Sequence, residues 1–436
     1  MAVEFESLRA EIAAVMPVRE VGRVSGTSWA SFYINGLRSA ALGDRVVVTS
    51  AAGPLGGEVI AISDQGAKIL PEGETGGLSI GDRVELEGAA TIAPDDSWLG
   101  RVVDPLGRPL DGRPLLCGAA RRPMTGAPPA PARRRGLGAR LSTGVAVFDT
   151  MLPLVRGQRI GLFAGSGVGK SSLLAKFARG VSADVTVIAL VGERGRELRE
   201  FTQKVLGPEG LARSVVVTAT SDQSPLTRRR CLLSAMAVAE HFRDQGLHVL
   251  LLVDSVTRFA EAHREVALAS GEAASLRGYP PSTAHALMSL CERAGPGAEG
   301  AGDITAVFSV LVAGSDMEEP VADIIRGTVD GHVVLSRAIA ERGRYPAIDV
   351  LRSVSRSLPA AASAEENALL TEARRLLSAY DRAEMMIQAG LYVAGSDALI
   401  DRAVKLWPAL DGFLAEEAPA GGPAASFDRL RLLLKG

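Results

Sequence analysis

The sequence is poor in rings: Phe, Trp and Tyr make up 4% of its 436 residues. That argues against a surface on which nucleic-acid bases stack. Cysteine is scarce too. Cys117, Cys231 and Cys291 are far apart, odd in number and without a C-x-x-C pair, so reduced, mostly buried thiols of a cytoplasmic protein are expected rather than a disulfide framework or a catalytic cysteine. The five histidines show no metal-ligand spacing. No run of about 18 apolar residues is available to span a bilayer. The first residues carry Glu4, Glu6 and Glu11, which a signal peptide would not. An excess of one charge is also missing, with 48 basic against 50 acidic residues and a net charge of −2. No global basic field therefore steers the chain to nucleic acid or to a membrane.

What is present is the composition of a folded protein, 47% hydrophobic and 22% charged. The chain is too long for one core, and two or three domains are expected. The central feature is Arg159-Ile-Gly-Leu-Phe-Ala-Gly-Ser-Gly-Val-Gly-Lys-Ser-Ser172, an apolar strand that enters a glycine loop and then a helix. It reads as a phosphate-binding loop, Gly165, Ser166, Gly167, Val168, Gly169, Lys170, Ser171 and Ser172 forming the cradle. The glycines allow positive φ and let backbone N–H groups converge on the phosphates, while the helix adds its positive end. Lys170 supplies a mobile charge, and the Ser171 hydroxyl is placed to ligate Mg²⁺. The first position of G-x-x-x-x-G-K-[ST] is Ala164 instead of glycine. A dinucleotide reading of Gly165-Ser-Gly167 fails because Lys170 stands where its last glycine belongs.

Short β-type runs between turn residues from Val21 to about Ala90 (30–34, 44–48, 57–62, 67–70 and 82–86) predict a small barrel or sandwich. Residues 100–112 close that region with tight turns. Residues 121–140, with Arg133-Arg-Arg135, read as a solvated connection, a phosphate or lipid patch being the rival. From Thr143 to about Ser357, apolar strands alternate with helical stretches, which predicts parallel strands joined by crossover helices. The strands are expected at 159–164, 184–191, 214–219, 248–254, 303–312 and 331–335. Helical periodicity then covers 365–389 and 397–417, with Gly390 and Gly412 as punctuation. Residues 1–18 place Phe5, Leu8, Ile12 and Val15 on one helical stripe, either a frayed end or a docking helix.

Two further clusters carry chemistry. Asp254 ends the apolar run His248-Val-Leu-Leu-Leu-Val-Asp254; it either holds the Mg²⁺ shell through water or caps the next helix, and the phosphate loop favours the metal. Glu193 and Arg194 follow the apolar strand 184–191. Glu193 is the candidate for orienting the attacking water and Arg194 for neutralising the γ-phosphate, against the plainer reading of a solvated helix start.

Ala164–Ser172, Val191–Glu197, Leu252–Phe259, Leu276–Ser282, Gly331–Arg337 and Tyr345–Arg356, with Gly100–Gly112 and Leu141–Val145, together resemble the flagellar and type III export ATPases. These are relatives of the catalytic subunits of the rotary ATP synthase. The resemblance implies a multidomain α/β chain with a small N-terminal β-barrel (19–112), a linker (113–142), a central RecA-like parallel sheet (143–357) and a helical C-terminal domain (358–436), after a partner-docking segment at 1–18. It implies a homohexamer with ATP and Mg²⁺ between subunits, Glu193 as the catalytic glutamate, and Arg356 as an arginine finger reaching a neighbour's γ-phosphate. The Ala274–Ser282 loop matches the segment that faces the ring's central opening. The implied partners are a stator-like regulator at the N-terminus, a central stalk protein, an export gate, and export chaperones with their substrates. The implied location is cytoplasmic, peripheral to the inner membrane, with no nucleic acid.

The sequence departs from its relatives at two points. Where they carry an aromatic residue near adenine after the finger arginine, this chain has Asn367. Where their N-terminal extension meets a regulator and acidic lipid, this one is short and carries three glutamates. The expected activity is Mg-ATP hydrolysis that releases export substrates from chaperones and delivers them to the gate. The flagellar variant is preferred because Ala294–Gly300 after Arg277–Ser282 resembles flagellar members. The virulence injectisome ATPase is the alternative, and a ring-shaped RNA translocase or a non-catalytic ring component are the readings from other classes.

Overall fold

The computed structural model describes residues 8, 9, 12, 18–312 and 316–435. Of the expected docking stripe, Phe5 and Val15 lie outside the described residues; Leu8 and Ile12 are helical and exposed. Six strands close a barrel: β1 (Val21–Thr27), β2 (Phe32–Asn35), β3 (Asp44–Ser50), β4 (Gly53–Ser63), β5 (Gly66–Pro71) and β6 (Arg83–Ala89), in spatial order β1-β2-β5-β4-β3-β6. Alternation drives the closure, since one face of each strand sends its β-branched and aromatic side chains inward. Val24, Phe32, Ile34, Val46, Val48, Val59, Ile69 and Val84 fill the interior. The barrel ends at Ala89, short of the expected Gly112. Arg101–Val103 pairs instead in parallel with Ser214–Thr220. The turn after it is pinned by Arg101, which donates to Asp111 and to the carbonyls of Arg113 and Pro114. The same guanidinium holds the Asp111 carboxyl far below the usual carboxylate range.

The chain divides into two units, Met1–Pro129 with Val185–Gln245 and Val253–Arg293, and Ala130–Asp184 with Gly246–Leu252 and Ala294–Gly436. In the first unit, Val185–Glu193 runs parallel to Ser214–Thr220. Both strands are buried on both faces, and for that reason they read as continuous apolar runs. The helix Pro225–Asp244, capped by Ser224, packs on them. The barrel is attached to this helix by charge. Glu58 accepts from Arg229 and Arg230, and Arg230 also pairs with Glu72. A small apolar contact of Leu70, Leu226 and Val266 lies beside these pairs. Burial works against the Arg230 charge, but the two carboxylates outweigh it and raise its pKa.

In the second unit the strand order is Ile348–Ser355, Gly331–Leu335, Arg159–Ala164, Asp303–Leu311 and then His248–Asp254, which belongs to this unit as far as Leu252. Ile348–Ser355 was not expected as a strand. It is antiparallel to Gly331–Leu335, and much of it is exposed, so its sequence lacks the apolar continuity of the others. The C-terminal region holds three helices, Ala364–Gln388, Ala398–Phe413 and Gly422–Lys435. A capping box of Ser363 and Glu366 starts the first, and Gly390, at φ 70°, follows its end. Gly412 is the penultimate residue of the second helix, which ends at Phe413 rather than at the expected Glu417. The basic run of the linker is not simply solvated. Arg135 donates to Asp303 and to the carbonyls of Ala301 and Gly302, and Arg134 bridges Ala298. This ties the linker to the glycine-rich stretch before Asp303, where a Cβ on Gly302 would lie 1.8 Å from the Leu247 carbonyl oxygen.

Candidate functional site

The phosphate loop grows out of the Arg159–Ala164 strand. Ala164 is its last residue, buried and bonded through its carbonyl to Val312 N, so the first motif position needs no glycine here. Gly167 and Gly169 have φ of 77° and 86°, the left-handed region that a side chain disfavours. Gly169 is the N-cap of the Lys170–Gly180 helix, and no side chain caps it. The first-turn N–H groups and the positive helix end thus face the loop. Val168 is buried and anchors the loop, whereas Ser166, Ser171 and Ser172 are exposed and Lys170 is half-buried. A row of backbone donors, an ammonium and a hydroxyl on one turn is a site for a phosphate chain and a hard cation.

Two residues that sequence reasoning did not single out stand against this loop. Arg337 donates to the Ser166 carbonyl at 3.5 Å. The half-exposed Tyr345 ring lies beside Gly169, where a Cβ would come within 3.1 Å of it. Both belong to the family-like segments Gly331–Arg337 and Tyr345–Arg356, and the signal that marks Tyr345 is that residues 331–356 hold no other Phe, Trp or Tyr. Asn367, where the resemblance would call for an aromatic near adenine, is spent locally: its amide donates to the carbonyls of Pro359, Ala362 and Ser363.

Arg356 is in the same unit, but the structure does not bring it to the loop. Its N–H bonds to the Asp330 carbonyl, and the Asp330 N–H bonds to the Arg159 carbonyl. Arg356 is therefore level with the first residue of the strand whose last residue, Ala164, opens the loop. Five residues of strand are about 16 Å, beyond the reach of an arginine side chain. Arg356 is exposed at that opposite end, donating to the Arg326 carbonyl.

Glu193, Arg194 and Asp254 belong to the first unit. Gly192, at φ 69°, makes a bulge that shifts the register so that Glu193 pairs with Thr220. A bulge of this kind re-aims the side chain that follows it. Glu193 is half-buried and opens onto the Gly195–Glu200 helix; Arg194 is exposed, with Glu197 at 3.8 Å. Asp254 is 4% exposed and is not the helix cap, because Ser255 caps Val256–Ser270 by accepting from Arg258 N. A Cβ on Gly192 would lie 3.6 Å from Arg258, so Glu193 and Asp254 end their strands at the same side. The Ala274–Ser282 loop is pinched at its base, where the Glu272 carboxylate accepts from both Ser282 N and Oγ, and His263 bonds the same hydroxyl.

A cavity of about 560 Å³ also lies in this unit, between the barrel and the helices Pro225–Asp244, Val256–Ser270 and Pro281–Arg293. None of the expected site residues lines it. Several of its charged groups are already paired, Glu58 with Arg229 and Arg230, and Arg293 with Glu240. Cys231 is buried, and burial pushes its thiol well above the ordinary range, so this thiol is not poised as a nucleophile; Cys291 is buried and Cys117 exposed.

Comparison with known proteins adds an independent line. The ATP synthase alpha/beta family, nucleotide-binding domain, matches residues 144–355, and the T3SS EscN ATPase C-terminal domain matches residues 362–420. The chain is 44% identical to the flagellum-specific ATP synthase of Caulobacter vibrioides, over 94% of this chain and 95% of that protein. It is 42% identical to the type 3 secretion system ATPase of Xanthomonas euvesicatoria, over 94% and 93%. Among solved structures it resembles the assembled ATPase EscN of the enteropathogenic E. coli type III secretion system, with a TM-score of 0.88 and 35% identity over 95% of this chain and 100% of that one. EscN in complex with its central stalk EscO gives a TM-score of 0.86 at 36% identity, with the same coverage.

Proposed function

Because the chain belongs to the family of flagellum-specific ATP synthases and type III secretion ATPases, we propose that it is an Mg²⁺-dependent ATP hydrolase of flagellar protein export. It couples hydrolysis to release of substrates from chaperones and their delivery to an export gate. The observation that carries the reading is the uncapped start of the Lys170–Gly180 helix behind two left-handed glycines. That turn binds the phosphates, with Lys170 on the β/γ-oxygens. Ser171, an exposed hydroxyl, would ligate Mg²⁺, and Asp254, a buried carboxylate not used as a cap, would hold the ion's shell through water. When bound, the ion neutralises charge on the phosphates. Glu193 orients the attacking water, Arg194 offsets γ-phosphate charge, and Tyr345 offers its ring to the base. Arg356 acts on the nucleotide of a neighbouring copy, which its distance from the loop of its own chain supports.

The working form is then a homohexamer, cytoplasmic and peripheral to the inner membrane, with a central stalk protein, an N-terminal regulator and no nucleic acid. Among the described residues no helix is long and apolar enough to cross a membrane. A type 3 secretion ATPase matches at 42% identity, as some flagellum-specific relatives do, and secretion of virulence effectors is the second reading. A strain carrying only Glu193→Gln at the native locus separates them. Loss of motility and of flagellin from the medium, with the protein still abundant, supports flagellar export. Normal motility overturns it and turns the assay to effectors. Purified protein that fails to hydrolyse Mg-ATP removes the enzymatic reading altogether, and Glu193→Gln with undiminished turnover favours a non-catalytic ring component.

A further inference from the structure

Three consecutive arginines lie in the first turns of the Pro225–Asp244 helix, and they divide their work. Arg229 and Arg230 turn to the barrel carboxylates. Arg228 turns the other way. Its Nε donates to the Gln223 carbonyl at 3.1 Å and its Nη2 to Glu265 Oε1 at 3.0 Å, on the Val256–Ser270 helix. Its Cδ lies 3.7 Å from where a Gly192 Cβ would stand, and its side chain is 15% exposed.

The loop it holds is bonded to Glu193. Gln223 Oε1 accepts from Thr220 N at 3.1 Å, and the Gln223 N–H returns a bond to the Thr220 carbonyl. The next N–H, of Ser221, donates to the Glu193 carbonyl at 3.0 Å. A continuous path therefore runs from Glu265 through Arg228 and Gln223 to the backbone of Glu193. Gly192, with no side chain and a positive φ, gives that backbone little stiffness of its own.

We propose that Arg228, acting through Gln223, is a positioning residue for Glu193: it fixes the bulged end of the strand so that the carboxylate keeps one direction. The proposal rests on Glu193 being the water-orienting group. Arg228 contributes no chemistry itself, so its loss acts by misplacement, and a shift of about 1 Å at a reacting group costs up to about a hundredfold.

The test is steady-state hydrolysis of Mg-ATP by the purified full chain and five variants: Arg228→Met, Arg228→Lys, Gln223→Leu, Glu193→Gln and the double Arg228→Met/Glu193→Gln. Arg228→Met and Gln223→Leu each lower kcat by about tenfold to about a hundredfold, with KM within about twofold. Arg228→Lys recovers part of the loss, because an ammonium reaches one of the two acceptors. The double variant is no slower than Glu193→Gln alone, since a positioning residue has nothing left to position. A double variant slower by the product of the two single losses overturns the proposal, as does a folded Gln223→Leu with full kcat. Melting curves identify an Arg228→Met that does not fold, and Gln223→Leu with Arg228→Lys then decide. Full turnover of Glu193→Gln overturns the reading on which the proposal stands, an outcome distinct from an additive cycle.

Discussion

Gly165–Ser172 takes its shape from its own residues, whereas Glu193 takes its direction from Ser221, Gln223, Arg228 and Glu265. In the loop, glycine φ values and a helix start determine where the donors point, and neighbours such as Tyr345 and Arg337 only flank it. At the carboxylate edge, Ser221, Arg228 and Glu265 act from other elements, and the same helix that supplies Arg228 is bolted to the barrel through Arg229 and Arg230. A site assembled from a short motif tolerates change elsewhere in the fold. A site braced by long-range charge pairs transmits such change.

The sharpest way to break this contrast is at Arg356, because it asks whether the loop is sufficient within its own chain. Arg356→Ala should lower ATP turnover by about 10³-fold or more, the range for an arginine finger. Lys170→Ala should be similarly inactive, yet a mixture of the two should regain turnover, since a copy with an intact loop can receive an intact Arg356 from its neighbour. The measurement is ATPase rate against mixing ratio. A mixture as dead as its parts means that Arg356 serves its own chain, against the register that puts it level with Arg159.

The next effect is on stability. Arg230 is 3% exposed at the side chain, between Glu58 and Glu72. Arg230→Met leaves buried carboxylates short of a partner and should cost about 3–5 kcal/mol in urea unfolding. Replacing Glu58, Glu72 and Arg229, the other partner of Glu58, by apolar residues in the same chain should recover most of that loss, because Arg45 keeps Glu87 and the cluster is left with no charge that has lost its pair. Lys170→Ala, in the self-shaped loop, should leave the unfolding midpoint within the error of measurement. Equal losses from both would erase the distinction between the two regions.

The contrast also explains what was legible. The loop, the strand that feeds it and Asp254 at the end of an apolar run are contiguous patterns, and the structure places them as strand, turn and helix start. The barrel strands were legible for the same reason, an alternation of period two between turn residues. Other features depend on partners that are distant in sequence. Arg101–Val103 looked like the end of the barrel because nothing local shows that it will pair with Ser214–Thr220. Ile348–Ser355 lacks apolar continuity because it is antiparallel and half-exposed. Arg135 looked solvated because Asp303 lies far along the chain. Tyr345 stands beside Gly169 through a contact that nothing local shows, whereas counting onward from Arg356 leads to Asn367, whose amide is engaged with nearby carbonyls.

Tyr345 provides the smallest and most selective test. Its ring touches the loop at Gly169, so it either offers a face to the base or merely braces the glycine. Stacking of one ring is worth about 0.5–1.5 kcal/mol, so Tyr345→Ala should raise KM for ATP by about threefold to tenfold and leave kcat nearly unchanged, while Tyr345→Phe keeps the wild-type KM. Inorganic triphosphate separates the two roles, because it carries the phosphates without a base. If the ring serves the base, Tyr345→Ala hydrolyses triphosphate as the parent does. A loss of equal size with ATP and with triphosphate means that the ring acts on Gly169, and the loop is then less self-sufficient than its glycines suggest.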